Sequence, residues 1–160
     1  MTYRVIAVLL LGLLASACGV NRYVDTPTDD LTLVASDGVN PDASGRPSPV
    51  VVRVYQLTDR NTFDTLDFRD AFANAESLLG REFKGAEEFT LRPGESVEHT
   101  TELASDASHM AVVAGYRAVD AARWKLVYPV NPNWYSDHRI TLTADGLVLG
   151  EPGGDAGSDD

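Results

Sequence analysis

Three histidines are the residues of this chain best suited to acid–base or metal chemistry, and they lie far apart in the sequence. His99, His109 and His138 do not have the spacing that brings two ligands to one face of a helix or to one hairpin. The single cysteine has no second cysteine with which to form a zinc site or a redox pair. No HExxH, GxSxG or phosphate-binding glycine motif occurs. The sequence therefore predicts a protein that is not an enzyme and that holds no metal and no cofactor.

Carboxylates are numerous, but they are not arranged as a catalytic pair. Asp64, Asp67 and Asp70 have a spacing typical of a helix start, where negative charge meets the positive end of the helix dipole. Glu87 and Glu88 are adjacent and are typical of a solvated face. Neither cluster has the apolar surroundings that shift a carboxyl pKa, and we expect no small-molecule substrate.

The single cysteine, Cys18, ends a segment with the features of an export signal. One positive charge precedes an apolar run at residues 5–14, which is shorter than the roughly 20 residues of a membrane span. The sequence Leu-Ala-Ser-Ala-Cys at residues 14–18 resembles the bacterial lipobox, in which the cysteine is lipidated. We predict a lipoprotein signal peptide at residues 1–17 and a lipid on Cys18. A glycine, rather than an aspartate, follows the cysteine and favours the outer membrane.

The charge and the two ends of the chain define the rest of the organisation. The formal net charge is −11, from 24 acidic and 13 basic side chains, which argues against nucleic acid and against a basic patch for anionic lipid. Residues 18–30 are polar and predict a lipidated flexible tether. Residues 151–160 are rich in glycine and aspartate and predict a disordered acidic tail. The folded domain is expected to span residues 31–150.

Inside this domain the dominant hydrophobic period is two, which predicts β-strands. Residues 50–57 and 110–119 are apolar on both faces, so we expect these two strands to be central and covered on both sides. Pro93-Gly94 and Asp145-Gly146 predict turns. The pattern predicts seven or eight short antiparallel strands in two sheets, a mainly β sandwich.

One segment after the second strand has helical periodicity instead. Its apolar residues follow at spacings of four, three and four, a single stripe that could cover the outer face of a sheet: Phe68, Phe72, Ala75 and Leu79. Thr65 or Asp67 could cap the start of this helix, and Gly80 could end it. The sequence thus predicts a short helical insertion after the second strand.

Two loops carry the remaining candidate binding residues. Residues 37–49 form a long loop with three prolines, which restrict the unbound chain and favour a pre-organised binding surface, although a plain connection is the alternative. Residues 131–138 contain Trp134 and Tyr135, which could anchor an interface or fold back over the end of the sandwich. The core interpretation is the commoner one for such aromatic residues.

Several motifs in their order along the chain resemble one family. Asn-Pro-Asp, two residues, then Gly-Arg-Pro-Ser-Pro leads from residue 40 into the strand VVVRVYQL. LRPGE at 91–95, MAVVAGYR at 110–117 and the Ala-Arg-Trp turn at 122–124 follow. With the lipobox, these motifs are similar to the TssJ (SciN/VasD) lipoproteins of bacterial type VI secretion systems. The resemblance covers residues 31–130 and the signal segment.

The resemblance implies a transthyretin-like two-sheet antiparallel β-sandwich and an outer-membrane lipoprotein that faces the periplasm. It implies a non-enzymatic role in which the protein anchors the membrane complex by binding the periplasmic domain of the inner-membrane protein TssM, and through it TssL. The family contacts TssM through the loop between the first two strands. Carried onto this chain, that loop contributes these candidate contacts: Val39, Asn40, Pro41, Asp42, Arg46 and Pro47. Some of them could instead brace the loop, and Arg46 could form an ion pair at home or across an interface.

Two other function classes remain to be compared with this one. A periplasmic lipoprotein that binds a small ligand or glycan would use Trp134 and Tyr135 as a stacking platform. A lipoprotein hydrolase would need a nucleophile motif, and the sequence has none.

Overall fold

The computed structural model describes residues 26–150, and these form two four-stranded sheets packed face to face. Cys18, the signal peptide and the acidic tail lie outside the described residues. The strands are β1 (Thr28–Ala35), β2 (Val50–Leu57), β3 (Phe83–Leu91), β4 (Ser96–Glu102), β5 (His109–Ala114), β6 (Lys125–Pro129), β7 (Ser136–Leu142) and β8 (Leu147–Leu149). One sheet has the order β4-β1-β7-β8 and the other β3-β2-β5-β6. The predicted β-sandwich is confirmed.

One strand pair departs from a wholly antiparallel arrangement. β1 and β7 are parallel, with Leu33 opposite Ile140, whereas the other strand pairs are antiparallel. The chain crosses between the sheets several times before β7 returns beside β1 in the same direction. Local periodicity carries no information on such a distant pairing, so the sequence could not predict it.

The first strand begins at Thr28, three residues before the start that the sequence predicts for the domain at residue 31. The polar residues before Leu31 led to that boundary, yet Asp29 is fully buried and Asp30 is exposed. Both belong to the alternating pattern of β1. The polar segment before the domain is therefore shorter than expected.

The strand β2 has the two covered faces that its sequence predicts. Val50, Val52 and Val54 pack in the main core between the sheets, where each buried valine contributes roughly 1.5–3 kcal/mol relative to an exposed one. Tyr55 and Leu57 belong to a second apolar cluster on the outer face of the same sheet. This strand therefore holds one end of the long loop rigidly, because its side chains are fixed from both sides.

The helical insertion covers that outer face, but it is not one helix. It comprises α1 (Asn61–Thr65), α2 (Phe68–Ala73), α3 (Ala75–Leu79) and a 3₁₀ turn (Gly80–Glu82). The expectation of a continuous helix from 68 to 79 is wrong, because Asn74 leaves helical geometry at φ −124°. The predicted cap is confirmed, since the Asp67 carboxylate accepts the N–H of Asp70 at 2.8 Å. Gly80, at φ 54°, ends α3 as expected.

The strand registers define the two ends of the sandwich. The loop end carries residues 36–49, the turn at 92–95, residues 115–124 and the hairpin at 143–146, since Ala35 lies opposite Leu142 and Val50 opposite Leu91. The Pro27 end carries the start of β1 and the loops at 103–108 and 130–135. Among residues 26–150, no helix is both long and apolar enough to cross a membrane.

Candidate functional site

The loop between β1 and β2, residues 36–49, is fixed at its base by the core of the sandwich. Val39 is 0% exposed and packs with the buried residues between the sheets. Its N–H donates to the Ser36 carbonyl at 3.1 Å, and its own carbonyl accepts the N–H of Ser48 at 3.1 Å. The two limbs of the loop are thus joined to each other directly above the core.

Asn40 fastens this loop to a second one. Its side-chain Nδ2 donates to the Pro49 carbonyl at 2.8 Å, and its Oδ1 accepts the backbone N–H of Arg117 at 2.7 Å. The backbone has φ 48°, a left-handed conformation that asparagine tolerates better than most residues. Because Asn40 is buried, these bonds replace water at groups that would otherwise be unsatisfied.

The tip of the loop, residues 42–46, is closed by the Asp42 carboxylate. Its Oδ1 accepts the N–H of Ser44 at 2.8 Å and the N–H of Arg46 at 3.0 Å. Its Oδ2 accepts from Nε of Arg46 at 2.9 Å and forms an ion pair with Nη2 of the same residue at 2.8 Å. Gly45 at φ 77° permits the reversal, and its N–H donates to the Asp42 carbonyl.

These bonds also set the charge of the tip. The backbone N–H of Arg46, followed by that of Ser44, lowers the pKa of Asp42, and the Arg46 side chain lowers it further. At neutral pH the tip therefore presents an ionised carboxylate beside a guanidinium. The Arg46 side chain remains 80% exposed, so another molecule can still reach its guanidinium.

The six candidate contact residues fall into two groups in the structure. Val39 and Asn40 are buried and brace the loop from within. Pro41 and Asp42 are half-buried, and Arg46 and Pro47 are exposed. The open question about Arg46 has a structural answer for the free chain, because its ion pair is with Asp42. The accessible surface of the loop is thus formed by its tip and its outgoing limb.

The aromatic loop does not fold back over the sandwich. Trp134 is 70% exposed and Tyr135 is 63% exposed, so the core interpretation of these residues is wrong. They lie just before β7 at the Pro27 end, opposite to the loop of residues 36–49.

The histidines stay apart in the fold. His99 pairs with Glu87 across the edge where β4 meets β3, and His109 lies beside Ser108. His138 lies within β7 rather than in a loop, so that part of the sequence interpretation is wrong. Within residues 26–150, no group of three or more histidine, cysteine, aspartate or glutamate side chains is placed to hold a metal ion.

Sequence reasoning missed one buried polar cluster. The Asp29 carboxylate contacts three side chains. It accepts hydrogen bonds from Tyr128 Oη at 2.8 Å and Ser136 Oγ at 2.7 Å, and it lies 2.6 Å from Nδ1 of His138. Burial, and then the nearby carboxylate, raises the pKa of Tyr128. The signal was present in the alternation, since Asp29 lies on the same face of β1 as Leu31.

This cluster connects β1 to strands of both sheets. Ser136 and His138 both contact the carboxylate of Asp29, and the serine hydroxyl donates to that carboxylate rather than to the imidazole. The three groups therefore do not have the serine–histidine–carboxylate order of a hydrolase triad. They join β1 to β6 and β7 by side-chain hydrogen bonds inside the Pro27 end.

Comparisons with known proteins agree on one family. Residues 27–145 match the family of type VI secretion lipoproteins described as VasD, EvfM and TssJ. The crystal structure of the type VI secretion lipoprotein TssJ1 from Pseudomonas aeruginosa is 31% identical with a TM-score of 0.77, and the match covers 81% of this chain and 99% of that one. No curated protein sequence gave a significant match.

Two further structures have the same fold. Serratia marcescens Lip, a membrane-bound component of the type VI secretion system, is 25% identical with a TM-score of 0.73 over 79% of this chain and 97% of that one. A chain in the structure of the TssM C-terminal domain (869–1107) from EAEC is 26% identical with a TM-score of 0.66, over 78% and 98%. This chain therefore belongs to the type VI secretion lipoprotein family.

Proposed function

We propose that this protein is a non-enzymatic outer-membrane lipoprotein that faces the periplasm and anchors the type VI secretion membrane complex. In this proposal its lipid is on Cys18, and its partner is the periplasmic domain of the inner-membrane protein TssM, which connects it to TssL. The observation that carries the proposal is the loop of residues 36–49, held in one conformation by Asn40 and Asp42. A pre-organised loop loses little entropy on binding.

Membership of the family supports this role, and so does one of the structural relatives. The structure of the TssM C-terminal domain from EAEC contains a chain of this fold, matched over 78% of this chain and 98% of its own length. It supports TssM as the partner that we propose for this chain.

The binding surface that we propose is the exposed part of the loop: Pro41, Asp42, Arg46 and Pro47. The exposed guanidinium of Arg46, which Asp42 holds at Nε and Nη2, can still donate to a carbonyl or carboxylate of the partner. Pro47 adds rigid apolar area at little entropic cost. Val39 and Asn40 contribute by fixing the geometry, not by contact.

The binding role is tested by the double variant Arg46→Ala/Pro47→Ala, titrated calorimetrically against the periplasmic region of TssM. We expect affinity to fall at least about tenfold, or about 1.4 kcal/mol, with an unchanged melting temperature. Arg81→Ala is the matched control, since Arg81 is exposed in the 3₁₀ turn close to Phe83, which lies opposite Leu57 at the end of β2 far from the loop. Equal affinities for the double variant and the control would remove the loop from the interface. Deleting residues 40–45 is a poorer test, because it also removes the Asn40 brace.

The anchoring role is tested by Cys18→Ser in cells that carry the secretion system. We expect the variant to leave the membrane fraction and secretion to be lost. In this proposal the lipid on Cys18 is what holds the domain at the membrane. Full secretion supported by the unlipidated protein would contradict the anchoring role.

A further inference from the structure

The most exposed large apolar side chains in the described part of the chain are neighbours. Trp134 and Tyr135 are 70% and 63% exposed, whereas Leu78, Val148 and Leu149 are each below half. Two adjacent aromatic residues left in water are unusual on a monomeric surface and indicate a site of interaction.

The aromatic pair is presented by a fixed turn. Asn131 accepts the N–H of Trp134 on its backbone carbonyl at 3.1 Å and the N–H of Asn133 on its side chain at 3.0 Å. The turn begins at Val130, whose N–H donates to the Ser108 carbonyl at 2.9 Å. It ends at Ser136, which is bonded to the buried Asp29. The exposure of the two rings is thus a property of the fold.

The aromatic pair lies at the Pro27 end of the sandwich, which is also where the N-terminal part of the chain enters the domain. Ser136 lies opposite Asp29 in the parallel β1–β7 pair, so Tyr135 and Thr28, the residues that precede them, lie at the same end of two neighbouring strands. Pro27 is also fixed, because its carbonyl accepts the N–H of Leu103 at 2.9 Å. The aromatic pair therefore lies beside the point where the chain from Cys18 enters the domain.

The length of that chain limits how far the pair can be from a membrane. Residue 26 is eight positions after Cys18, and a fully extended chain spans at most about 3.3–3.6 Å per residue, so the two are at most about 29 Å apart. This step rests on the lipidation of Cys18 that is part of the proposed function. Under it, the Pro27 end is the part of the domain nearest to the lipid surface.

We propose that Trp134 and Tyr135 insert into the headgroup region of the bilayer to which the lipid is attached. Tryptophan and tyrosine favour this region, because their rings are apolar and their N–H and O–H groups need a polar partner. The net charge of −11 and the exposed Asp137 beside the pair disfavour a strongly anionic surface. The lipid class that fits is therefore a zwitterionic one.

This contact would fix the orientation of the domain. The strands separate the aromatic pair from the loop end by about 25 Å, since β1 has eight residues at about 3.3 Å each. With the Pro27 end on the bilayer, the loop of residues 36–49 points away from the membrane. A short lipid tether alone would leave the domain free to tumble.

The test uses the full lipidated protein in phosphatidylcholine vesicles that contain lipids brominated near the headgroup. Trp124→Phe leaves Trp134 as the single tryptophan, and we expect its fluorescence to be quenched by these lipids and protected from acrylamide. Trp134→Phe is the matched control. It leaves Trp124, which packs edge-on against Phe68 at the opposite end of β6, and we expect no quenching by lipid.

The outcomes separate this inference from the proposed function. Flotation with vesicles tests the lipid anchor. If Cys18→Ser no longer floats and Trp134→Ser/Tyr135→Ser still does, the result supports the anchor and does not bear on the aromatic contact. Protein that floats while Trp134 stays unquenched and open to acrylamide would overturn the membrane contact and leave the anchor intact. A change in Trp134 emission on adding soluble glycan or the TssM periplasmic region, with none on adding vesicles, would also overturn it and assign the pair to that molecule.

Discussion

The Oδ1 atom of Asn40 accepts the backbone N–H of Arg117 at 2.7 Å, although 77 residues separate the two in the sequence. This bond joins the loop after β1 to the loop after β5, which belong to different sheets. The geometry of the candidate binding loop therefore depends on the sandwich being assembled, and a single buried side chain carries the connection.

Replacing Asn40 by alanine is expected to destabilise the protein by about 1–3 kcal/mol, because the Pro49 carbonyl and the Arg117 N–H lose their partner in two part-buried hydrogen bonds. Urea denaturation measures the change. Asn133→Ala, at an exposed position, is the control and should lie within about 0.5 kcal/mol of the parent. Equal values for the two variants would mean that the Asn40 bonds contribute nothing net.

Acidification should open the tip of the loop locally. The pKa of Asp42 is lowered from its ordinary value of 3.8, so its bonds are fully present above that value and are lost as the pH falls through the lower, folded pKa. A carboxyl titration by NMR, with the Ser44 and Arg46 amide signals as reporters, follows the change. In Arg46→Ala the pKa should stay below 3.8, because the backbone N–H groups, the largest cause, remain. A return to 3.8 would instead make the ion pair the main cause.

Two neighbouring aspartates on β1 should differ sharply in their effect on stability. Asp29→Ala removes a buried carboxylate and leaves the buried Tyr128 and the partly buried Ser136 and His138 without their acceptor, so it is expected to cost about 3–5 kcal/mol. Asp30→Ala removes one exposed hydrogen bond from Thr100 and should cost at most about 1 kcal/mol. Chemical denaturation of both variants compares an inward and an outward position of one strand. A similar cost for the two would contradict the buried role of Asp29.

The hairpin between β7 and β8 requires glycine. Gly146 has φ 131°, and a Cβ there would lie 2.5 Å from the Arg123 nitrogen. Gly146→Ala should therefore destabilise the protein by roughly 1–3 kcal/mol or more through backbone strain. Gly38→Ala is the matched control, because a Cβ at that position meets nothing within 4 Å. Thermal unfolding compares the two, and a Gly146→Ala protein as stable as the control would mean that the hairpin adapts freely.

The features that the sequence predicts correctly are those that depend on near neighbours. The two faces of β2, the Asp67 cap, the Gly80 helix end and the turn at Gly146 each follow from residues within a few positions. Alternation and backbone geometry determine such features, so a single sequence suffices for them.

The features that the sequence analysis missed have more than one cause. The sequence places Asp29 in the polar tether, because the residues next to it are polar. Its partners Tyr128 and His138 follow 99 and 109 residues later. The break at Asn74 interrupts a stripe that is continuous in spacing. Trp134 and Tyr135 are aromatic and would favour a core, but the turn that presents them directs both side chains outward. The deciding contacts of Asp29 are tertiary, whereas the turn before Trp134 is closed by hydrogen bonds to Asn131 within three residues.

The position of β1 has a mechanical consequence. This strand begins at Thr28, on the side from which the chain enters, and ends at Ala35, where the candidate binding loop begins. A force that pulls these two ends apart runs along the strand, which is bonded to β4 on one side and to β7 on the other. The force is carried by the covalent backbone of β1, which is already nearly fully extended at about 3.3 Å per residue, so the strand has almost no length to give. Eight residues thus connect the two ends of the domain in a geometry that resists extension.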